Sequence, residues 1–157
     1  MAEHYTLKTG VIVDSATKRK IKKIADKYYE LVSKKIVITS GTRASKSQAS
    51  AMYGKLSGGD KLTIYKDQVS AQAIKKAYDD GVAKKRSKSQ VITDMTDVID
   101  KQIKSGKFIS KHLRKGAIDV RSRNMSIKEK AKFKQAAKNI ATTIILEVTP
   151  PHFHLQL

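Results

Sequence analysis

Apolar residues recur along this chain at two spacings, one helical and one strictly alternating, and the switches between them lay out its elements. Ile21, Ile24, Tyr28, Leu31 and Val32 form a helical stripe opposite Lys18, Arg19, Lys22 and Lys23. Asp14 or Ser15 stands where a cap is needed, so a first helix is expected to about Ser33. Ile36 to Thr39 has no polar break, reads as a central strand and delivers Ser40-Gly41-Thr42-Arg43 at its end. Ser45-Lys46-Ser47-Gln48 has the spacing of a capping box and opens a helix to about Leu56, which Ser57-Gly58-Gly59-Asp60 ends. Gly58-Gly59 is a turn and not a phosphate loop, because no Lys-Ser/Thr follows. Asp67 starts a helix through Val69, Ala73, Ala77 and Tyr78 that stops near Gly81, and Ala83 to Lys88 is a basic loop. Val91, Met95, Val98, Ile99 and Ile103 mark the next helix, closed by Gly106; its Asp94, Asp97 and Asp100 make a polar face.

Lys107-Phe108-Ile109 reads as a strand leading into Ser110 and His112. Gly116 then turns the chain into Ala117–Arg121, where Ile118 and Val120 point one way and Ala117, Asp119 and Arg121 the other. His112 lies seven residues before Asp119, an odd offset that would put the two on opposite faces of one continuous strand, so His112 is expected on the loop before it. Ser126-Ile127-Lys128-Glu129 is a further capping box, with a helix to about Ile140. Thr143 to Val148 reads as a buried strand, and Pro150-Pro151 breaks it before a second alternation: His152, His154 and Gln156 on one face, Phe153, Leu155 and Leu157 on the other. The expected fold is α+β, a small antiparallel sheet backed by several helices. Residues 1–157 are expected to form one domain, with a helical N-terminal part and a helical middle insertion at about 57–106.

Composition narrows the chemistry. With 39% hydrophobic residues, no tryptophan and no cysteine, the core should be aliphatic, disulfides are excluded, and any zinc must be held by histidine and carboxylate. The formal net charge of +19 favours polyanions as partners: nucleic acid, anionic lipid headgroups or anionic wall polymers. Met1 to Tyr5 carries no apolar run, so neither a secretory signal nor a membrane span is expected there.

Three of the four histidines fall in two short stretches, Ser110 to Asp119 and His152-Phe153-His154. Catalytic zinc is usually held by three His, Asp or Glu side chains with a fourth position left open, and His112, Asp119 and His154 would supply such a trio. Either stretch alone is weak, since an H-x-H near a terminus is often a solvated strand face. Their joint order is more telling. A strand ending Ser-Gly-Thr-Arg at 40–43, then Ser110-x-His112 with Gly116 and Asp119, then His-x-His at 152–154 after a hydrophobic strand, resembles the zinc D-Ala-D-Ala carboxypeptidase and Hedgehog-type metallopeptidase superfamily, whose members mostly cut peptidoglycan peptides.

That resemblance implies a Hedgehog/DD-peptidase-like fold, Zn2+ as cofactor and His112, Asp119 and His154 as its ligands. It makes His152 the catalytic neighbour of the metal, Arg43 the arginine that holds substrate and stabilises charge, and Ser110 a residue near the bound peptide. Many relatives carry a glutamate three residues before the last zinc histidine. Pro151 stands there instead, so the base is expected to be His152, with Glu147 the nearest carboxylate but facing away on strand parity unless the Pro150-Pro151 turn re-aims the chain. Arg121 to Asn124 is a basic loop that would bind substrate carboxylates or stay exposed. The expected activity is zinc-dependent hydrolysis of a peptidoglycan peptide bond, of DD-carboxypeptidase or endopeptidase type. The chain would act as a monomeric lysin or toxin, made in the cytoplasm and delivered to the periplasm or wall by phage lysis or an injection system. The alternatives are a basic nucleic-acid-binding protein, or a non-catalytic zinc-binding module of the same fold.

Overall fold

The computed structural model describes residues 3–157. Its elements are β1 (Tyr5–Leu7), α1 (Ser15–Val32), β2 (Ile36–Ser40), α2 (Ser45–Ser57), α3 (Gln68–Ala83), α4 (Lys88–Lys104), a 3-10 turn (Lys111–Leu113), β3 (Ala117–Arg121), α5 (Ile127–Ala137), β4 (Thr143–Val148) and β5 (Pro151–Gln156). Five α-helices and one five-stranded sheet among the described residues make this an α+β chain. It divides into two units, one formed by the chain up to Thr42 together with Lys115–Leu157, the other by Arg43–Arg114.

In the first unit the strand order is β1-β2-β3-β5-β4. β1 runs parallel to β2 and the other pairs are antiparallel. Alternation sorts the strands' side chains. Ile36, Ile38, Ile118, Val120, Phe153 and Leu155 join Ile21, Ile24 and Tyr28 of α1 and Phe133 and Ala137 of α5 in one apolar core. Phe133 is the hub, its ring 4.8 Å from that of Phe153 and edge-on to Tyr28 at 5.7 Å. Burial without water pushes the Tyr28 phenol up to about 12. The same alternation leaves Asp119, Arg121, His152 and His154 on the opposite face of the sheet.

Two expectations about this sheet change. β1 adds a strand that the sequence did not announce, because three residues are too few to show a period. β4 is the last strand in the order and not a buried one: Ile145 is 42% and Val148 77% exposed. An apolar run reports hydrophobicity but not its place in a sheet. Gly116 enters β3 with φ +85, and an added Cβ would meet the Leu157 carbonyl oxygen at 2.6 Å. Only glycine suits both demands.

α1 is capped by Asp14, whose carboxylate accepts from the Thr17 N–H at 2.7 Å. α5 has the expected box: the Glu129 N–H donates to Ser126 Oγ at 3.1 Å, and the Ser126 N–H donates to Glu129 at 2.8 Å. Lys34 also reaches Glu129 at 2.8 Å. These donors, Lys34 foremost and then the Ser126 N–H, hold the Glu129 carboxyl below its usual range. A depressed folded-state value stabilises the fold above the ordinary glutamate range, near ~4.3, and is lost as pH falls through the folded-state value. Acid denaturation between about pH 5 and 2 should therefore be less steep in Glu129→Gln than in wild type, as read by circular dichroism; equal steepness would remove Glu129 from the account.

The second unit packs α2, α3 and α4 around Met52, Leu62, Ile74, Val91, Met95 and Ile99. Gly81 lets α3 and α4 approach, since an added Cβ there would sit 2.8 Å from Val91. The capping box expected at Ser45 does not form. Ala44 is the cap position and makes no side-chain bond, because Gln48 is drawn instead to Arg43 Nη1 at 2.9 Å and the Tyr65 hydroxyl at 3.4 Å. The box lies at Ser87 and Gln90, at the head of α4. Lys107 to Ile109 is not a strand either. The Lys107 N–H closes the α4 terminus on Gln102 O at 2.8 Å, and Ile109 enters the helical core, where no strand is at hand to pair with.

Candidate functional site

β3 and β5 pair in register, with Asp119 opposite His154 and Arg121 opposite His152. Cross-strand partners share a face, so these four side chains rise from the sheet side away from the core. Phe153 and Leu155 anchor β5 from below, which fixes both histidines on rigid backbone. His154 is 3% exposed and Asp119 14%, and Nδ1 of His154 lies 3.1 Å from Asp119 Oδ1. β2 contributes at an irregular step, Ile38 pairing with Val120 but Ser40 with Asp119, which sets Ser40 beside the carboxylate.

The two ring nitrogens of His152 both face oxygen. Nδ1 lies 2.6 Å from the Pro150 carbonyl, which can only accept, so this nitrogen carries the proton and Nε2 is the exchangeable atom. Nε2 is 3.3 Å from Glu147 Oε2 and 3.7 Å from Asp119 Oδ1. Glu147 therefore shares the face of His152 and His154. Counting seven residues along one strand places it on the wrong side; the hairpin register sets Glu147 directly opposite His152. The turn at 149–150 re-aims the chain.

The other unit holds the remaining expected residues. His112 sits in the 3-10 turn, as its odd offset from Asp119 implied, and not on a strand. Leu113 and Ile109 tie that turn to the helical core. The Arg43 N–H donates to the His112 carbonyl at 2.7 Å, so the arginine and the histidine of the motif are held together by backbone. Ser110 caps the turn, its Oγ accepting from the His112 N–H at 3.4 Å. It also lines a cavity of about 590 Å³ with Tyr65 and Phe108.

No family model, no curated protein and no solved structure matches this chain.

The site must therefore be argued from its own chemistry. His112, Asp119 and His154 each offer one donor atom of a kind that metal ions take. No helix among the described residues is long and apolar enough to cross a membrane. Gln48, 1% exposed, supports Arg43, and Lys8 joins Arg121 and Arg123 of the basic loop at a cavity beside Asp119 and His152; neither the support by Gln48 nor the place of Lys8 stands out from sequence alone. Gln48 looked like a capping residue. In a chain with 33 Lys and Arg, one more cation, Lys8, carries no signal until topology places it.

Proposed function

We propose that this chain is a zinc-dependent peptidase that hydrolyses a peptide bond of bacterial cell-wall peptidoglycan, of DD-carboxypeptidase or endopeptidase type. The observation that carries this reading is the pair formed by buried His154 and half-buried Asp119, with His152 one alternation away on the same face. With 3.1 Å between Asp119 Oδ1 and His154 Nδ1, both atoms could face one cation, and a carboxylate and an imidazole are donors that zinc takes. A hard-to-ionise thiolate is not needed, since histidine and carboxylate are a catalytic donor set. The third ligand in this reading is His112, which the resemblance names and which precedes Asp119 by seven residues.

Zinc, when bound, supplies Lewis-acid polarisation of a peptide carbonyl and acidifies water from ~15.7 towards ~7. His152 then has the proton work. Its Nδ1–H is occupied by Pro150 O, so Nε2 takes the proton of the attacking water and returns it to the leaving amine. Glu147, 3.3 Å from Nε2, receives or steadies that proton between the two events. Arg43 neutralises negative charge on the substrate or on the tetrahedral state, and Gln48 holds its guanidinium in place. Ser110 lies with the bound peptide. Asp119 and His154 act as ligands, with the sheet as their frame.

His152→Gln separates the roles. This variant should keep zinc, by elemental mass spectrometry, while cleavage of purified muropeptides falls about 10²–10⁴-fold. Wild-type protein that takes up no zinc after reconstitution, or a variant that cleaves at the wild-type rate, would overturn the assignment. The net charge of +19 favours a second reading, binding of a polyanion without catalysis. Steeply salt-dependent affinity for DNA in a protein that cuts no muropeptide would select it.

A further inference from the structure

A cavity of about 400 Å³ in the sheet unit is lined by Lys8, Arg121 and Arg123 together with Asp119 and His152. Two strand ends bring the cations there. Lys8 follows β1 and its N–H donates to Ile38 O at 2.9 Å. Arg121 closes β3 opposite His152, and the Ser122 N–H holds the next turn to Pro151 O at 3.3 Å, which presents Arg123. None of these cations has a carboxylate partner among the described residues, whereas Lys22, Lys34, Lys75, Lys76 and Arg86 each do. The cavity's volume lies within the ~300–1,000 Å³ that small-ligand sites occupy. Unpaired cations at the wall of a recess attract an anion, and guanidinium forks match the two oxygens of a carboxylate. Asp119 in the same wall opposes a doubly charged phosphate more than a singly charged carboxylate.

We propose that Lys8, Arg121 and Arg123 form a carboxylate subsite beside His152, which selects peptides that carry a carboxylate next to the bond being cut. The cutting rests on the peptidase reading; the carboxylate recognition stands without it. Two sources offer this chemistry: the C-terminus of a peptide, or the side chain of an acidic residue within it.

Binding measured by isothermal titration calorimetry at low salt, on the full chain with and without zinc, tests this independently of turnover. One arm compares Lys-D-Ala-D-Ala with its C-terminal amide. The other compares L-Ala-D-Glu with L-Ala-D-Gln, both amidated at the C-terminus. In one arm the acid should bind about tenfold more tightly than its uncharged partner, and the arm that shows it names the source. Lys8→Gln/Arg123→Gln, both at exposed positions, should reduce the preference to near unity. Lys18→Gln/Lys23→Gln removes the same charge from α1 and should leave it intact. Equal binding of acid and amide in both arms, or an equal loss in the α1 variant, would overturn the subsite. Zinc uptake and muropeptide cleavage without any acid preference would leave the peptidase reading standing alone, and acid preference in a protein without zinc or cleavage would leave the subsite alone.

Discussion

His154→Ala is expected to abolish zinc binding and, with it, muropeptide cleavage. His154 is 3% exposed and its Nδ1 lies 3.1 Å from Asp119 Oδ1, so alanine removes the ring nitrogen that this reading makes a ligand. A ligand set of three reduced to two loses the coordination that a catalytic zinc site needs. Asp119→Ala should do the same from the other side of the β3–β5 ladder. Asp119→Asn is the sharper test, because it keeps the size and the strand register while removing the charge that holds a divalent cation. Zinc content and cleavage should fall together in all three variants, with far-ultraviolet circular dichroism unchanged. Full zinc in His154→Ala would mean that the β3–β5 face is not the metal site.

Phe153→Ala should cost about 3–5 kcal/mol of folding stability, seen as a drop in Tm of roughly 6–20 °C. The side chain is fully buried, its ring lies 4.8 Å from Phe133, and Phe133 in turn contacts Tyr28 of α1. Truncation would open a cavity at the point where the sheet meets both helices. Phe153→Leu should cost clearly less, since it returns most of the volume. A loss below about 1 kcal/mol in Phe153→Ala would show that the core relaxes around the gap and that the Phe133 stack is not what fixes β5.

β5 was the most legible element because one alternation writes both of its faces: Phe153 and Leu155 for the core, His152 and His154 for the site. Ala117–Arg121 was legible for the same reason, and the helices announced themselves through Asp14, Asp67 and the Ser126-Glu129 pair. What escaped were properties of pairing. Tyr5–Leu7 becomes a strand only because β2 is beside it. Glu147 changes face because a hairpin restarts the count, which no parity rule along one strand can express. Gln48 was misread because a box is a matter of which partner wins, and Arg43 and Tyr65 win it. The grouping of Lys8 with Arg121 and Arg123 lies in the sheet order, since 113 residues of sequence separate the first two.

The terminal position of β4 bears on how copies of this chain tolerate one another. Among the described residues no strand lies beside its outward edge, and Ile145, Leu146 and Val148 are exposed along it, which is the kind of surface that templates sticking between molecules. No lysine or proline within Thr143–Val148 blunts that edge. The safeguard is collective instead: with 33 cationic against 14 acidic side chains, two such molecules repel before their edges can meet. Colloidal stability is thus delegated from the strand to the whole surface, and it weakens wherever dissolved ions or a polyanion mask that surface.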